Sequence, residues 1–449
     1  MKKALSTSVA LLAVAALGLS ACGPQTTEQT SASASASKAP ESSAPAEPAE
    51  PVSIEYVHRL PDKDNMVKVA KIVEKWNKEN PKIQVKATKW DGKAAELITK
   101  LEQDVKAGTA PCLAQVGYGE VPELFVKGMF EDVTSEAGKY KDSFAAGPVA
   151  QMTVAGKSVG LPQDTGPLVY FYNEAEFKAL GIEVPKTLDE FKAAAEKAAA
   201  GGRYIAAFTP DEAGYWLSGQ AAAAGGTWFK VENDKWVLNV DGPESKVVAD
   251  FWQEMLDKKS VLVAQRWDPS FDKALTDGKL IGHVAAAWEF GFALDVLDGT
   301  PAEGQWRVAQ LPDFGKGMMS GPDGGSGVAV LKGCKHSAEA MKFNHWFNTQ
   351  IEDLATQGLV LATKDAPATP EKTKKQFGGQ DVMKELATAA SAMNPNFVYM
   401  PGYSAVVKPM VTAATKAANG EGKLADVFTE AQKTAVETLK GFNLQVAEN

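Results

Sequence analysis

Aromatic side chains recur at positions that the sequence pattern assigns to loops and strand ends. The set comprises Trp90, Tyr118, Tyr215, Trp216, Trp267, Trp288 and Tyr403. Polar side chains that can hydrogen-bond a hydroxyl group occur at similar positions, namely His58, Arg59, Glu120, Asp164, Glu289 and Ser326. The apolar C–H faces of a sugar ring stack on aromatic rings, while its hydroxyl groups need carboxylate, imidazole or guanidinium partners. The combination predicts a binding site for a sugar-like ligand.

The sequence shows no clear pattern of catalytic or metal-binding residues. The four histidines, at positions 58, 283, 336 and 345, lack the H-x-x-x-H and H-x-H spacings of metal ligands. The G-x-S-x-G pattern of a nucleophilic serine is absent. Two carboxylates about 5 to 10 Å apart would make a glycosidase, and the 56 acidic residues leave such a pair open. We predict no catalytic residue, metal or cofactor, and a secreted carbohydrate-active hydrolase remains the alternative.

The first residues form an export signal. Lys2 and Lys3 precede an apolar run, 9–19, which is too short to span a bilayer and ends in small residues. The following Leu-Ser-Ala-Cys-Gly, 19–23, resembles the lipobox of bacterial lipoproteins, in which the signal is removed and the cysteine is lipidated. The pattern predicts a signal peptide at 1–21 and a lipid anchor on Cys22, which would hold the protein on the outer face of the cell membrane.

The stretch after this cysteine is low in large apolar residues. Residues 22–51 are mostly Ser, Ala, Pro, Thr, Gln and Glu, so they cannot bury enough surface to fold and are predicted to form a disordered tether. The whole chain has a formal net charge of −9 and no basic patch, which argues against nucleic acid as a partner. Two cysteines remain, Cys112 and Cys334, and export favours a disulfide between them over two free thiols.

The remainder alternates between strand and helix patterns. Strands are predicted from residue 54, at 83–87 and at 112–116, with helices between them. Repeated βα units imply a mainly parallel sheet with helices on both faces, and the length of 449 residues suits two domains. Ligands of such sheets bind beyond the carboxyl ends of the strands. The residues at these ends are His58, Arg59, Trp90, Tyr118 and Glu120.

Two segments have the composition of crossings between domains. In residues 160–173, Pro162 and Pro167 bracket a polar bend that contains Asp164, and a strand is predicted directly after it at 168–172. Residues 321–327 are glycine-rich and are predicted to be a loop that forms the second crossing. A side chain on the first bend, such as Asp164, would face the space between the domains.

Several stretches together resemble a known family. They are SIEYVHRLPDKDNMVKVAKIVEKWNKENPKIQVKA, APCLAQVGYGEVPELFVKG and GLPQDTGPLVYFYNEAEFKALGIEVPKTLDEF, along with the lipobox and the closing helices. This chain resembles the extracellular solute-binding proteins of ABC importers, and within them the sugar-binding branch related to maltose-binding protein. The resemblance covers nearly everything from residue 54 onward.

The resemblance implies an α/β, periplasmic-binding-protein-like fold of two lobes, each a mainly parallel sheet flanked by helices, joined by a hinge. Lobe one would be 52–163 plus 325–363, and lobe two 164–324 plus 364–449. Both cysteines then fall in lobe one, which supports their pairing. The chain departs from the family at Cys112, where most members have an acidic residue.

The family also implies which residues contact the ligand. Carried over by position, they are His58, Arg59, Tyr118, Glu120, Asp164, Trp216, Trp267, Trp288 and Glu289. To these we add Trp90, Ser326 and Tyr403 from the strand-end and loop pattern. The expected function is capture of a sugar, most simply an oligosaccharide, and delivery to an ABC permease by a lipid-anchored monomer that breaks no bond. The same fold binding a peptide or a polyamine is a further alternative.

Overall fold

The computed structural model describes residues 50–63 and 66–447. The predicted signal peptide, Cys22 and nearly all of the predicted tether lie outside these residues. Within the described ranges, no helix combines the length and the apolar character needed to cross a bilayer.

The strands are short except for two long ones near the middle of the chain. They are β1 (Val52–His58), β2 (Ile83–Lys89), β3 (Leu113–Gly117), β4 (Thr153–Val154), β5 (Lys157–Ser158), β6 (Gly160–Asn173), β7 (Ala207–Phe208), β8 (Phe229–Glu232), β9 (Lys235–Leu238), β10 (Leu262–Val263), β11 (Gly282–Ala286), β12 (Trp306–Ala309), β13 (Pro322–Val330) and β14 (Val360–Leu361).

Helices alternate with the strands over the first part of the chain and dominate its end. They are α1 (Val69–Glu79), α2 (Ala94–Ala107), α3 (Val121–Val126), α4 (Thr134–Tyr140), α5 (Ala146–Gln151), α6 (Glu174–Leu180), α7 (Leu188–Ala200), α8 (Ala213–Ala223), α9 (Pro243–Asp257), α10 (Pro269–Thr276), α11 (Phe290–Leu297), α12 (Ser337–Asn348), α13 (Ile351–Ala355), α14 (Glu371–Gln376), α15 (Val382–Ser391), α16 (Tyr403–Ala418) and α17 (Ala425–Gly441).

The main sheet has the strand order β2-β1-β3-β13-β6-β11, and β12 and β14 also pair with β6. The expected parallel pairing holds for β1 with β2 and with β3. The pairs that involve β6 or β13 are antiparallel, so the sheet is mixed. The first half of β6 pairs with β13, whereas its second half, from position 168, pairs with β11. One strand therefore runs through both parts of the sheet.

The predicted polar bend at the start of this crossing is wrong, because β6 is extended over all of its 14 residues. Proline is tolerated here since Pro167 lies opposite Pro322, and neither residue has an N–H to leave unpaired. Gly166 allows the backbones to approach closely: a Cβ at this position would lie 2.2 Å from the Asp323 carbonyl oxygen.

The glycine-rich crossing is also a strand, not the predicted loop. Residues 322–330 form β13, and the register against β6 shifts between Pro322 and Gly325. Gly324 and Gly325 have φ values of +82° and +92°, which a side chain would strain. The glycines thus make an irregular strand that still pairs on both edges.

Helical periodicity predicted the helices between the first three strands, α1 and α2, but not α8. Helix α1 buries Val69, Ile72, Val73 and Trp76 on one face, as expected from their spacing. Helix α8 contains Tyr215 and Trp216, which were predicted to lie in a loop. Helix α8 consists largely of small residues, and nearly all of its residues are buried. Its sequence therefore has no polar face that would reveal a helical period.

A disulfide joins Cys112 and Cys334, with their Cα atoms 4.7 Å apart across 222 positions of sequence. This confirms the predicted pairing. The bond connects the residue before β3 to a residue just after β13, two strands that are adjacent in the sheet.

Candidate ligand-binding site

The carboxyl ends of β1 and β3 bring together a charged pair. Two nitrogens of the Arg59 guanidinium donate to the two carboxylate oxygens of Glu120, at 3.1 and 3.2 Å. The Gly117 N–H also donates to Glu120, at 2.7 Å. Both charged side chains are largely buried, so a bidentate pair in this geometry is well fixed.

This pair continues into the crossing strands through hydrogen bonds. The Arg59 N–H donates to the Gln115 side-chain oxygen at 2.6 Å, and the Gln115 amide donates to Ser326 Oγ at 3.0 Å. Ser326 in turn donates to an Asp164 carboxylate oxygen. Burial raises the pKa of Asp164 to about 6, although the hydrogen bonds from Ser326 oppose this shift. The chain of contacts links four strands at one place.

Tyr118 closes this network from the other side. Its hydroxyl group donates to the Asp164 backbone carbonyl at 2.8 Å, and its N–H donates to the Gly325 carbonyl at 3.1 Å. We refer to Arg59, Gln115, Glu120, Asp164 and Ser326 as the Arg59 network. Five of the residues predicted from sequence, Arg59, Tyr118, Glu120, Asp164 and Ser326, are brought together here.

A second ionic group surrounds Arg266. Its guanidinium lies 2.6 Å from a carboxylate oxygen of Glu212, 2.8 Å from one of Glu289 and 3.0 Å from one of Asp323. We call these four residues the Arg266 cluster. The Arg266 side chain is only 4% exposed. Sequence reasoning assigned only Glu289 to the site, because nothing in the spacing of the other three indicates that they meet.

Burial sets the charge balance of the Arg266 cluster. It raises the pKa of Glu212 to about 7 and that of Asp323 to about 6, in each case against the opposing effect of Arg266. Burial is also the largest influence on Glu289, but Arg266, His283 and the Ala286 N–H together outweigh it and leave the pKa of Glu289 below its usual value. Of the three carboxylates around the guanidinium, Glu289 is therefore the one whose ionised form is favoured, whereas the protonated forms of Glu212 and Asp323 are favoured, in each case relative to an ordinary carboxyl group.

The Arg266 cluster holds two of the predicted tryptophans. Trp267 Nε1 donates to Glu289 at 2.8 Å, and Trp288 Nε1 donates to the Asp323 carbonyl at 2.9 Å. The Arg266 guanidinium carbon lies 5.0 Å from the centre of the Trp288 ring. Both indoles are half-buried, so part of each ring surface remains accessible. Trp267, Trp288 and Glu289 are therefore held in one place.

Other predicted residues lie elsewhere. Trp216 is fully buried in α8, where its Nε1 donates to the Val284 carbonyl, and Tyr403 is fully buried at the start of α16. His58 is also buried, beside Tyr56, and burial lowers its pKa to about 4. Trp90 is half-buried and donates to the Lys93 carbonyl, at the start of α2. The structure does not bring these four side chains into contact with the Arg266 cluster.

Tyr215 connects the two halves of the site. A Cβ at Gly119 would lie 3.0 Å from its hydroxyl oxygen, which places this ring against the turn that carries Glu120. On its own side, Tyr215 packs against Tyr399 and Tyr403. The Tyr399 hydroxyl is buried and has no hydrogen-bond partner among the described residues. The sequence pattern singled out Tyr215 as an aromatic candidate, but not Tyr399, which follows no predicted strand.

A cavity of about 240 Å³ adjoins the same crossing strands. Its walls include Tyr118, Thr165 and Gly324, and the remainder is contributed mainly by small and apolar residues of α5 and of the segment 390–398. Side chains alternate along a strand, so Thr165 points away from the Asp164 side of β6. A polyhydroxylated ligand needs hydrogen-bond partners, which the Arg59 network and the Arg266 cluster offer, and to which these walls add Gln151, Thr165, Ser391 and Asn394.

An α/β fold in which β6 runs through both parts of the sheet beside β13, with charged and aromatic residues collected at this crossing, is that of a periplasmic-binding-protein-like solute-binding protein. Residues 63–350 match the family described as bacterial extracellular solute-binding protein. The chain belongs to this family, and the prediction made from the sequence motifs is confirmed.

Known relatives are sugar-binding proteins. The galacto-N-biose/lacto-N-biose I-binding protein of an ABC transporter from Bifidobacterium longum, solved with lacto-N-biose, is 55% identical with a TM-score of 0.86 and covers 89% of this chain and 100% of its own. The ABC transporter associated binding protein from B. animalis subsp. lactis Bl-04, solved with β-1,6-galactobiose, is 25% identical with a TM-score of 0.72, covering 88% and 99%. The diacetylchitobiose binding protein DasA of Streptomyces coelicolor is 23% identical over 76% of this chain and 79% of its own.

Proposed function

We propose that this protein captures a disaccharide of the galacto-N-biose or lacto-N-biose I type and delivers it to an ABC permease. The observation that carries this proposal is the hydrogen bonding of two half-buried tryptophans to the Arg266 cluster, whose Asp323 lies on the same strand as Ser326 of the Arg59 network. Tryptophan faces suit the apolar faces of sugar rings, and carboxylates and guanidinium groups suit their hydroxyls. The 55% identical relative solved with lacto-N-biose supports this choice of sugar.

The ligand would lie between two lobes, 52–163 plus 325–363 and 164–324 plus 364–449. One hydrophobic cluster, which includes Ile54, Trp76, Val328 and Phe347, is built entirely from residues of the first lobe, and this supports the division. The Arg59 network lies mainly on lobe one and the Arg266 cluster lies on lobe two. Closure around the sugar would bring the Arg59 network and the Arg266 cluster into contact with it, and the permease would recognise the closed form.

Delivery to a permease requires the protein to stay at the membrane. We propose that the chain is exported and anchored to the outer face of the cell membrane through a lipid on Cys22, with residues 22–51 as a tether. The protein acts as a monomer, and the sugar leaves it unchanged. A Cys22→Ala variant is expected to move from the detergent phase to the aqueous phase in a Triton X-114 partition of whole cells, while the wild type stays in the detergent phase.

The sugar proposal is tested by titration calorimetry of the soluble chain that starts after the tether. The panel is lacto-N-biose I, galacto-N-biose, β-1,6-galactobiose, maltose, a tripeptide and spermidine. Saturable binding of the first two, with the sugar recovered intact by mass spectrometry, is the expected result. Binding of the peptide or polyamine alone would refute the sugar class, and release of monosaccharides would establish a hydrolase instead.

A further inference from the structure

The Arg266 cluster draws its members from four separate places in the chain. Arg266 follows β10, Glu212 ends the turn before α8, Glu289 follows β11, and Asp323 lies on β13. Such a group is costly to bury unless its geometry is well satisfied. Here the guanidinium meets all three carboxylates within 3.0 Å. The cluster thus links β13, one of the two crossing strands, to the loops that carry the tryptophans.

Each tryptophan is attached to a different member of the cluster. One Glu289 oxygen accepts from Arg266 and from the Ala286 N–H, at 2.8 and 2.7 Å, while the other accepts from Trp267 Nε1. The Asp323 carboxylate accepts from Arg266, and its backbone carbonyl accepts from Trp288 Nε1. Arg266 therefore orients the acceptors of both indoles without donating to either one.

Arg266 also covers one face of Trp288, at 5.0 Å from the ring centre. A site that must match a rigid ring needs its side chains held to within roughly 0.5 Å. We infer that Arg266 is a positioning residue of the sugar site, which sets the ring planes of Trp267 and Trp288 and ties them to β13. This inference rests on the sugar-binding function proposed above.

The test compares Arg266→Lys with a matched control, Arg307→Lys. Arg307 is also largely buried and ion-paired, with Glu174 at 2.9 Å, but it lies on β12 and touches neither tryptophan. Lysine keeps the charge but lacks the planar fork that reaches three carboxylates at once. For lacto-N-biose I, Arg266→Lys is expected to weaken binding at least about tenfold, the size of one lost aromatic contact, while Arg307→Lys leaves the dissociation constant unchanged.

A second readout needs no ligand. In protein labelled with 5-fluorotryptophan, the fluorine resonances of Trp267 and Trp288 are assigned by single phenylalanine substitutions. Arg266→Lys is expected to shift these two resonances and to leave that of the distant Trp76 in place. A merely stabilising role would lower the melting temperature without moving them, and that result together with an unchanged dissociation constant would overturn the inference.

Where Arg266→Lys does not fold, Glu289→Gln replaces it, with Glu174→Gln as its control. An amide on Glu289 places its NH₂ group against Trp267 Nε1–H in one orientation and against the Arg266 and Ala286 donors in the other, so at least one hydrogen bond is lost in either orientation. The Trp267 resonance and the sugar affinity should both change, whereas Glu174→Gln should change neither. Failure of the wild type to bind any sugar of the panel would refute the proposed function itself, whereas wild-type binding with unchanged affinity in the variants would refute the role of Arg266 alone.

Discussion

At the level of single residues, the two tryptophans of the site differ in how they are held. Trp267 donates to a carboxylate that is itself buried, and its own backbone has a φ of +57°, which is unusual for a large side chain. Trp288 donates to a backbone carbonyl and carries Arg266 on one face. The face of Trp288 opposite Arg266 is therefore the proposed platform for a sugar ring.

Replacing Trp288 by alanine removes this platform. We expect the affinity for lacto-N-biose I to fall at least about tenfold, because the stacked surface and part of the ring's desolvation are lost. Titration calorimetry measures the effect. Trp236→Ala is the control, since Trp236 is a half-buried tryptophan on the hairpin of β8 and β9, and it should bind like the wild type. Equal losses in both variants would contradict the assignment.

The raised pKa of Asp164 predicts how the stability of the protein depends on pH. Its pKa is about 6 in the folded protein against an ordinary value of 3.8, so the folded state holds the proton more tightly than the unfolded state. The free energy of unfolding that Asp164 contributes therefore falls as the pH rises from about 4 to about 6, by about 3 kcal/mol in all. Asp164→Asn lacks this term, and its amide oxygen can still accept from Ser326.

Urea denaturation at pH 5 and pH 7.5 tests this prediction. The free energy of unfolding of Asp164→Asn, measured relative to that of the wild type, should be larger at pH 7.5 than at pH 5. His58 has the opposite sign, since a lowered pKa makes the folded state lose stability as the pH falls below about 6, but His58 is present in both proteins and cancels in the comparison. A difference between the two proteins that does not vary with pH would show that Asp164 titrates normally.

At the level of elements, β3 and β13 carry the site at one end and the disulfide at the other. Ser326 pairs with Gly117 near the Arg59 network, and Val330 pairs with Leu113 at the far end of the same two strands. Cys112 and Cys334 lie just beyond that far end. Stability and binding should therefore respond differently to loss of the bond.

Replacing both cysteines by serine is expected to lower the free energy of unfolding by about 4 to 5 kcal/mol, because a very long loop is released in the unfolded chain. The dissociation constant for lacto-N-biose I at 25 °C should stay within about twofold of the wild-type value, a difference below about 0.5 kcal/mol. Urea denaturation measures the free energy of unfolding, and titration calorimetry measures the dissociation constant. Dithiothreitol should destabilise the wild type but not the double variant, and an effect on both would point to a cause other than this disulfide.

At the level of the whole molecule, the two proposed lobes also meet through polar side chains that lie outside the crossing strands. Lys63 forms an ion pair with Asp295, and Ser404 donates to Glu123 at 2.7 Å. In each case one partner belongs to lobe one and the other to lobe two. Contacts of this kind would form on closure, so they would contribute to sugar affinity without touching the sugar.

Reversing the charge of Asp295 tests this coupling. Asp295→Lys should weaken the binding of lacto-N-biose I by about threefold to tenfold, since an exposed pair contributes up to about 1 kcal/mol and repulsion adds to its loss. The loss should shrink at 1 M salt, where the charges are screened. Asp353→Lys is the control, because Asp353 pairs with Lys75 within lobe one and should not alter affinity. Equal effects of both variants would argue against closure as the cause.

Much of this protein could be predicted from local sequence. Hydrophobic periodicity located α1 and α2 between the first three strands, and the motifs identified the family. Arg59, Glu120 and Asp164 were predicted as site residues because ligands of α/β sheets collect at strand ends and crossings. These features depend on residues that are close together in the chain, or on a rule of fold that holds for many sequences.

The remaining features depended on tertiary packing. Trp216 and Tyr403 are aromatic like the residues of the candidate site, but the packing of distant segments buries them in the core. The predicted bend in β6 became straight strand because β13 pairs along it. Arg266 and Asp323 meet although 57 positions separate them, and no local pattern encodes that contact. Burial and ionic pairing are properties of distant segments brought together, so the sequence pattern named candidate residues and the folded structure decided which of them share a site.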